Sequence, residues 1–338
     1  MEKILVLTHV DESGSALGKA SLEAVAAAVE LSKALGAELA IGVVGLEASG
    51  AAVQLSGAAS TVLAVTGEAF AQPRYATDAA ACEALVKAAA ATVVLAPATS
   101  RFARVMPGVA HRAGGVVDTH ITALGNTLEA TRWFYRQRVE AVIKRASRPW
   151  FLLLEAGTHT AWSAVGNAPA IEAVAVAIPE SRTTVSGIRA PKQDEQTIRP
   201  DAKLLFVAGA GWTKKQQDGQ VHAAEAEPLI LGFLRAADAS LGSSKSLVDQ
   251  SGENQPVLKF MTHLNQIGQT GATPRHAKGL STCCHGEEPH VVGWRFVNER
   301  RAINLDANCG WARGKADVLY VADAFKVMAK VNELLAKK

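Results

Sequence analysis

The sequence is short of cysteine, of long apolar runs and of charge of one sign. Four cysteines (Cys82, Cys283, Cys284 and Cys309) among 338 residues are too few and too unevenly spaced for a disulfide framework, which points to a reducing compartment. No apolar stretch reaches the length of a membrane-spanning helix, so no membrane span is expected. Basic residues outnumber acidic ones by only 35 to 32, and no basic tract interleaved with aromatics is laid out to follow a phosphate backbone, so nucleic acid is not an expected partner. Met1-Glu2-Lys3 runs directly into the strand-like Ile4-Leu5-Val6-Leu7 without the layout of a secretory signal, and the expected location is cytoplasmic. Strings of the G-x-S-x-G, H-E-x-x-H and P-loop types are missing, so hydrolase and nucleotide-triphosphatase readings have no starting point.

What is present is a composition of 49% hydrophobic and 20% charged residues, which fits a globular chain of about two domains. The first third alternates short apolar runs with alanine-rich helical stretches, the pattern of helices crossing between parallel strands. Strands are expected at 4–8, 37–44, 61–65 and 92–96, with helices at 17–35 and 76–90. The first helix turns Leu22, Val25, Val29 and Leu35 inward and stops at Gly36, a residue suited to a left-handed helix end. Pro97-Ala98-Thr99-Ser100 then offers hydroxyls to cap a helix running toward His111, at the carboxyl edge where open parallel sheets place ligands or partners.

Residues 115–124 and 127–143 read as adjoining strands that extend the sheet. Trp133, Phe134 and Tyr135 stand in sequence there, so at least one faces outward and is available to a partner subunit. Further strands are expected at 149–154 and 170–178. The stretch 179–200 turns polar and is read as containing a linker, after which the alternation restarts. A strand is expected at 203–208, a turn at Gly209-Ala210-Gly211, a helix at 225–240, a strand at 318–321 and a closing helix at 323–335. The fold class is therefore α/β with two domains. A doubly wound, mainly parallel domain occupies 1–190, a linker 191–201 and a Rossmann-like domain 202–338.

Four strings carry a family likeness: Leu95-Ala96-Pro97-Ala98-Thr99, Val105-Met106-Pro107, Gln266-Ile267-Gly268-Gln269-Thr270-Gly271 and Ala302-Ile303-Asn304-Leu305-Asp306. They resemble the α subunits of electron-transfer flavoproteins, whose patterns are LAPAT…VMP, QVGQTG and AINKD. The resemblance implies FAD in the second domain, with Gln269 and Thr270 against the flavin. Gln266 and Ile267 complete the string, and Gly268 and Gly271 remove side chains so that backbone N–H groups can approach a ligand. Gly242-Ser243-Ser244-Lys245 is similar to the family's Gly-Ala-Ser-Arg, which marks Ser244 and Lys245. Lysine is a point charge where arginine is a planar fork. At about 4 Å it would favour a reduced, anionic flavin by roughly 4 kcal/mol at an effective dielectric near 20.

An ungapped count from Thr270 places His285-Gly286-Glu287-Glu288-Pro289-His290 under the family's Ser-Gly-Ala-Ile-Gln-His. His285, Gly286 and His290 would thus line the flavin, and the same count reaches Asn304 and Asp306. The family's Gly-Arg-Gly turn reads Gly209-Ala210-Gly211 and lacks the arginine, a loss of about 1.5–3 kcal/mol if a charge-assisted hydrogen bond goes with it. Ala316-Asp317 stands for the family's closing Ala-Asp pair. The likeness further implies a non-enzymatic electron carrier with a β subunit that itself holds AMP, a flavin-dependent dehydrogenase as donor, and a quinone oxidoreductase or other redox protein as acceptor. A second reading is a flavin-free structural or docking subunit of the same fold, motivated by the missing arginine and by Glu287 and Glu288, which would repel a pyrophosphate. A third is a metal site built from Cys283, Cys284, His285, His276, His290 and Cys309. Their spacing fits no standard pattern, and adjacent cysteines rarely ligate one tetrahedral metal, which ranks it below the flavin loop.

Overall fold

The computed structural model describes residues 1–135, 137, 139–187, 198–199, 202–249, 258–268, 273–282, 296–308 and 316–337. The chain forms two units, Met1–Ile188 and Arg189–Lys338.

The first unit runs β1 (Lys3–His9), α1 (Lys19–Leu35), β2 (Glu38–Gly45), α2 (Ala48–Ala51), β3 (Thr61–Thr66), α3 (Tyr75–Ala88), β4 (Val93–Pro97), α4 (Ser100–Arg112), β5 (Val116–Gly125), β6 (Glu129–Phe134), β7 (Val139–Ile143), β8 (Trp150–Leu154) and β9 (Ala170–Ala173). Its nine strands lie in the order β7-β6-β5-β8-β4-β1-β2-β3-β9. All pairs are parallel except those of the β5-β6-β7 extension. Alternation along the strands sorts the core. Ile4, Val6, Ile41, Val93 and Leu95 face α1 and α2, while Leu5, Leu7, Val94 and Ala96 face α3 and α4. The local stops are physical. Gly36 ends α1 at φ +59, a left-handed angle that costs glycine little. Thr99 caps α4 by accepting from Phe102 N.

Two sequence expectations change here. The stretch 127–143 is two strands, β6 and β7, with Tyr135 and Gln137 at positive φ in the reversal between them. The expected strand at 170–178 is only Ala170–Ala173.

The second unit runs β10 (Leu204–Ala208), α5 (Ala223–Ala237), β11 (Ala239–Ser243), α6 (Lys245–Asp249), β12 (His276–Thr282), β13 (Val297–Asn304), β14 (Val318–Val321) and α7 (Ala324–Leu335). The sheet is wholly parallel, in the order β11-β10-β12-β13-β14. Phe206, Ala208 and Ile303 pack toward α5 and α7, and Leu205, Val207 and Ala302 form the opposite face with Ile267 and Phe296. The helix expected at 225–240 is corrected. It stops at Ala237 because Asp238 takes a left-handed conformation, and Ala239 begins a strand. Of the expected linker only Ile198 and Arg199 are described. Ile198 is buried against the Leu205 face, and Arg199 N donates to Ser240 Oγ at 2.8 Å. Among the described residues no helix is long and apolar enough to cross a membrane.

Candidate functional site

The order of the second sheet reverses between β10 and β12, and in sheets of this kind ligands bind outside the carboxyl ends of the strands at that reversal. Four segments meet that edge. After β10 the chain turns at Gly209, whose N–H donates to Thr282 O at 2.9 Å. The following turn, Ala210–Thr213, is wholly buried. Trp212 closes it, with Nε1 donating to Thr282 Oγ1 at 2.8 Å and the indole 4.5 Å from the Phe325 ring.

After β11, Ser244 N donates to Ala208 O at 2.9 Å. The Ser244 hydroxyl accepts from Leu247 N at 3.3 Å, and Lys245 opens α6 as an exposed side chain. The Gln266-Ile267-Gly268 corner is tied beside it: Gln266 bridges Ser243, Ile267 N donates to Ser243 O at 3.1 Å, and Ile267 is a core side chain. Gly268 sits at φ +78 and donates its N–H to Thr273 Oγ1 at 2.8 Å. At the end of β13, Asn304 is buried and its Nδ2 donates to Asp306 O at 3.2 Å. The Asp306 side chain is exposed and accepts from Asn308 N at 2.8 Å.

Gly209, Gly211, Ser244, Lys245, Gln266, Ile267, Gly268, Asn304 and Asp306 thus gather at one edge of this sheet. Asp317 does not join them. It precedes β14 at the amino-terminal edge, where Oδ2 accepts from Arg300 N at 2.6 Å. Two residues beyond the carboxyl end of β14 stands Asp323, whose carboxylate caps α7 through Phe325 N and Lys326 N. Gln269, Thr270, Gly271, His285, Gly286 and His290 lie outside the described residues, as do Cys283, Cys284, Cys309, Glu287 and Glu288. His276 is buried with its ring nitrogens on the backbone oxygens of Pro274 and Arg199, at 3.0 and 2.7 Å. Among the described residues no group of three or more His, Cys, Asp or Glu is placed to hold a metal ion.

Three buried polar atoms at this edge have no hydrogen-bond partner: Ser243 Oγ, Ser281 Oγ and Asn304 Oδ1. They belong to the carboxyl ends of β11, β12 and β13. A buried polar atom left without a partner costs about 1–3 kcal/mol, so three at one edge suit a ligand rich in hydrogen-bonding groups. A dinucleotide such as FAD fits that donor and acceptor set. Sequence reasoning did not single out Ser243 and Ser281. The signal was there, in the hydroxyl residues that close the otherwise apolar ends of buried strands.

In the first unit the corresponding reversal falls between β1 and β4, and His9 fills it. Its Nδ1 faces Val10 O at 2.8 Å and its Nε2 faces Thr99 Oγ1 at 2.8 Å, with the ring edge-on to Phe102. A carbonyl only accepts, so Nδ1 carries the proton and the Thr99 hydroxyl donates to Nε2. Burial holds the imidazole pKa below its ordinary value. Farther along the sheet, buried Asp118 accepts from Arg132, Arg145 and Trp150, each at 2.9 Å. Burial pulls this carboxyl upward, but Arg145, Trp150 and Arg132 outweigh it and hold the pKa low. The cluster anchors the β5-β6-β7 extension, on which the Arg132 guanidinium covers Phe134 at 4.2 Å and Tyr135 is 77% exposed.

Two comparisons bear on this architecture. A family model described as the electron transfer flavoprotein domain matches residues 6–180. The chain is also 26% identical over 246 residues to the electron transfer flavoprotein subunit alpha of Bradyrhizobium diazoefficiens, which covers 72% of this chain and 72% of that protein.

Proposed function

Because the chain belongs to the electron transfer flavoprotein family, we propose that it is the α subunit of a heterodimeric carrier that holds FAD at the carboxyl edge of its second sheet. The observation that carries this reading is the set of unsatisfied Ser243, Ser281 and Asn304 atoms at that edge. FAD supplies the redox chemistry; the protein supplies binding, orientation and charge. Asn304 offers an acceptor, Lys245 a positive charge, and the Gln266-Ile267-Gly268 corner a close backbone approach. Asp306, Ser244, Gly209 and Gly211 border it. The resemblance adds Gln269, Thr270, Gly271, His285, Gly286 and His290. The same reading assigns a β subunit holding AMP, a flavin-dependent dehydrogenase as donor, a quinone oxidoreductase or other redox protein as acceptor, and a cytoplasmic, non-catalytic role.

The chain co-expressed with an electron transfer flavoprotein β subunit is expected to purify with flavin absorption bands that bleach on anaerobic reduction and return with a one-electron acceptor. A complex that is colourless and takes up no added FAD contradicts the reading. A flavin-free docking subunit is the second reading. It is favoured by the Gly209 turn, where the N–H is held by Thr282 O and Trp212 closes the loop.

A further inference from the structure

We propose that His222 is a proton-operated latch: charged, it ties the tip of the loop at 214–221 to the first turn of α5 through Asp218 and Glu225, and neutral, it lets that tip go. The loop leaves the Gly209–Thr213 turn at the carboxyl edge of β10 and doubles back on itself, with Lys215 bridging Val221, Gln216 N donating to Gln220 O at 2.8 Å and Gly219 N to Gln216 O at 2.9 Å. Its base is fixed to the turn, because Gln216 Nε2 donates to Gly211 O at 2.9 Å. Its tip is held by Asp218.

His222 stands between that tip and the helix. Nε2 lies 2.7 Å from Asp218 Oδ2 and Nδ1 lies 2.8 Å from Glu225 Oε1. Both partners are carboxylates, which only accept, so both ring nitrogens must donate and the ring in this arrangement is an imidazolium. A neutral ring keeps one N–H and turns a lone pair on the other carboxylate. Glu225 is built into the first turn of α5, so the bond that yields is the one to the loop. The Phe325 ring, with its centroid 6.1 Å away, backs the imidazole and offers it no competing polar group.

Charge around the ring favours the set state. As the N-cap of α5, His222 meets a helix end that disfavours a cation, yet Glu225 and Asp218 outweigh it and raise its pKa above the ordinary value. The Gln220 N–H and His222 hold the Asp218 carboxyl below its own. The other charged groups on these elements are Lys214 and Lys215 of the loop, Glu227 of α5, and Asp323 and Lys326 of α7, the last two 4.0 Å apart. A group whose folded pKa is raised contributes fully below its unfolded value and loses that contribution as pH rises through the folded one. The latch is therefore set below pH 6.5 and opens on the alkaline side of it.

The test is hydrogen exchange of the full chain, read at Gln216, Gly219 and Gln220 and corrected for the intrinsic effect of pH. Wild type is expected to lose protection there by about 2- to 5-fold, the range of an exposed ion pair, through one midpoint above pH 6.5. His222→Gln is expected to remove the step. Asp218→Asn is expected to shrink it, since an amide can turn to donate to a neutral ring as well as accept from a charged one. Wild-type protection that ignores pH overturns the proposal, as does a full step in either variant. No flavin enters the measurement, so its failure leaves the FAD reading untouched.

Discussion

A Cβ placed on Gly242 would fall 2.7 Å from Cδ1 of Ile267, so the glycine that ends the apolar part of β11 is what lets the Gln266-Ile267-Gly268 corner dock. Overpacking of this kind costs about 1–3 kcal/mol. Gly242→Ala is expected to lose that much in urea unfolding. Adding Ile267→Val, which removes the offending methyl, is expected to return part of it as a coupled pair does. Additive losses would show that the two side chains do not meet.

His9 is expected to make the protein acid-labile. Its folded pKa lies below the ordinary 6.5, so the unfolded chain binds the proton more readily. The stability His9 contributes is then full above that value and lost as pH falls through and below it. His9→Gln is expected to flatten the slope of unfolding free energy over this range. An unchanged slope would show that the ring is already free to charge.

Arg101 and Asp78 form a buried pair at 2.6 Å, with Arg101 also donating to Phe70 O at 2.7 Å. Burial pushes the Asp78 carboxyl upward even with Arg101 beside it. Arg101→Met leaves the carboxylate without its main partner and is expected to cost about 3–5 kcal/mol. The double variant Arg101→Met with Asp78→Leu is expected to recover a large share. Chemical denaturation reads both, and a double variant no better than the single one would show that packing, not charge, dominates there.

Tyr135 and Trp133 stand on the β6 end of the sheet extension, and Tyr135 projects into solvent. Under the proposed heterodimer, Tyr135→Ala is expected to leave the melting temperature of the isolated chain unchanged and to weaken association with a β subunit by about tenfold, as buried interface aromatics do. Sedimentation or titration checks it. Unchanged association of both Tyr135→Ala and Trp133→Ala would remove this face from the interface.

Much of the first unit was legible in the sequence because pattern and punctuation agree there. Apolar runs mark β1 to β4, Gly36 marks one helix end, and Thr99 marks a helix start. The second unit was less legible. The run Arg235-Ala236-Ala237-Asp238-Ala239-Ser240 has helical composition throughout, and only the left-handed Asp238 separates α5 from β11. The start of β13, Val297-Asn298-Glu299-Arg300-Arg301, hides a strand behind charge. In the candidate site, glycines and the Asn304 string could be read from the order of residues. The unsatisfied state of Ser243 and Ser281 could not, because it depends on which groups three strands bring to one edge. Asp317 was assigned from its likeness to the family's closing Ala-Asp pair, one residue later than the ungapped count, and the parallel topology puts it at the opposite end of the sheet from Asn304.

The most direct measurement is calorimetric titration of FAD into the flavin-stripped heterodimer, with wild type and Asn304→Ala side by side. The account predicts stoichiometric binding to wild type and an affinity about tenfold weaker for the variant, since a donor on the ligand loses its buried acceptor. Wild type that binds no FAD, or a variant that binds it equally well, would contradict a flavin seated at the carboxyl edge of the second sheet.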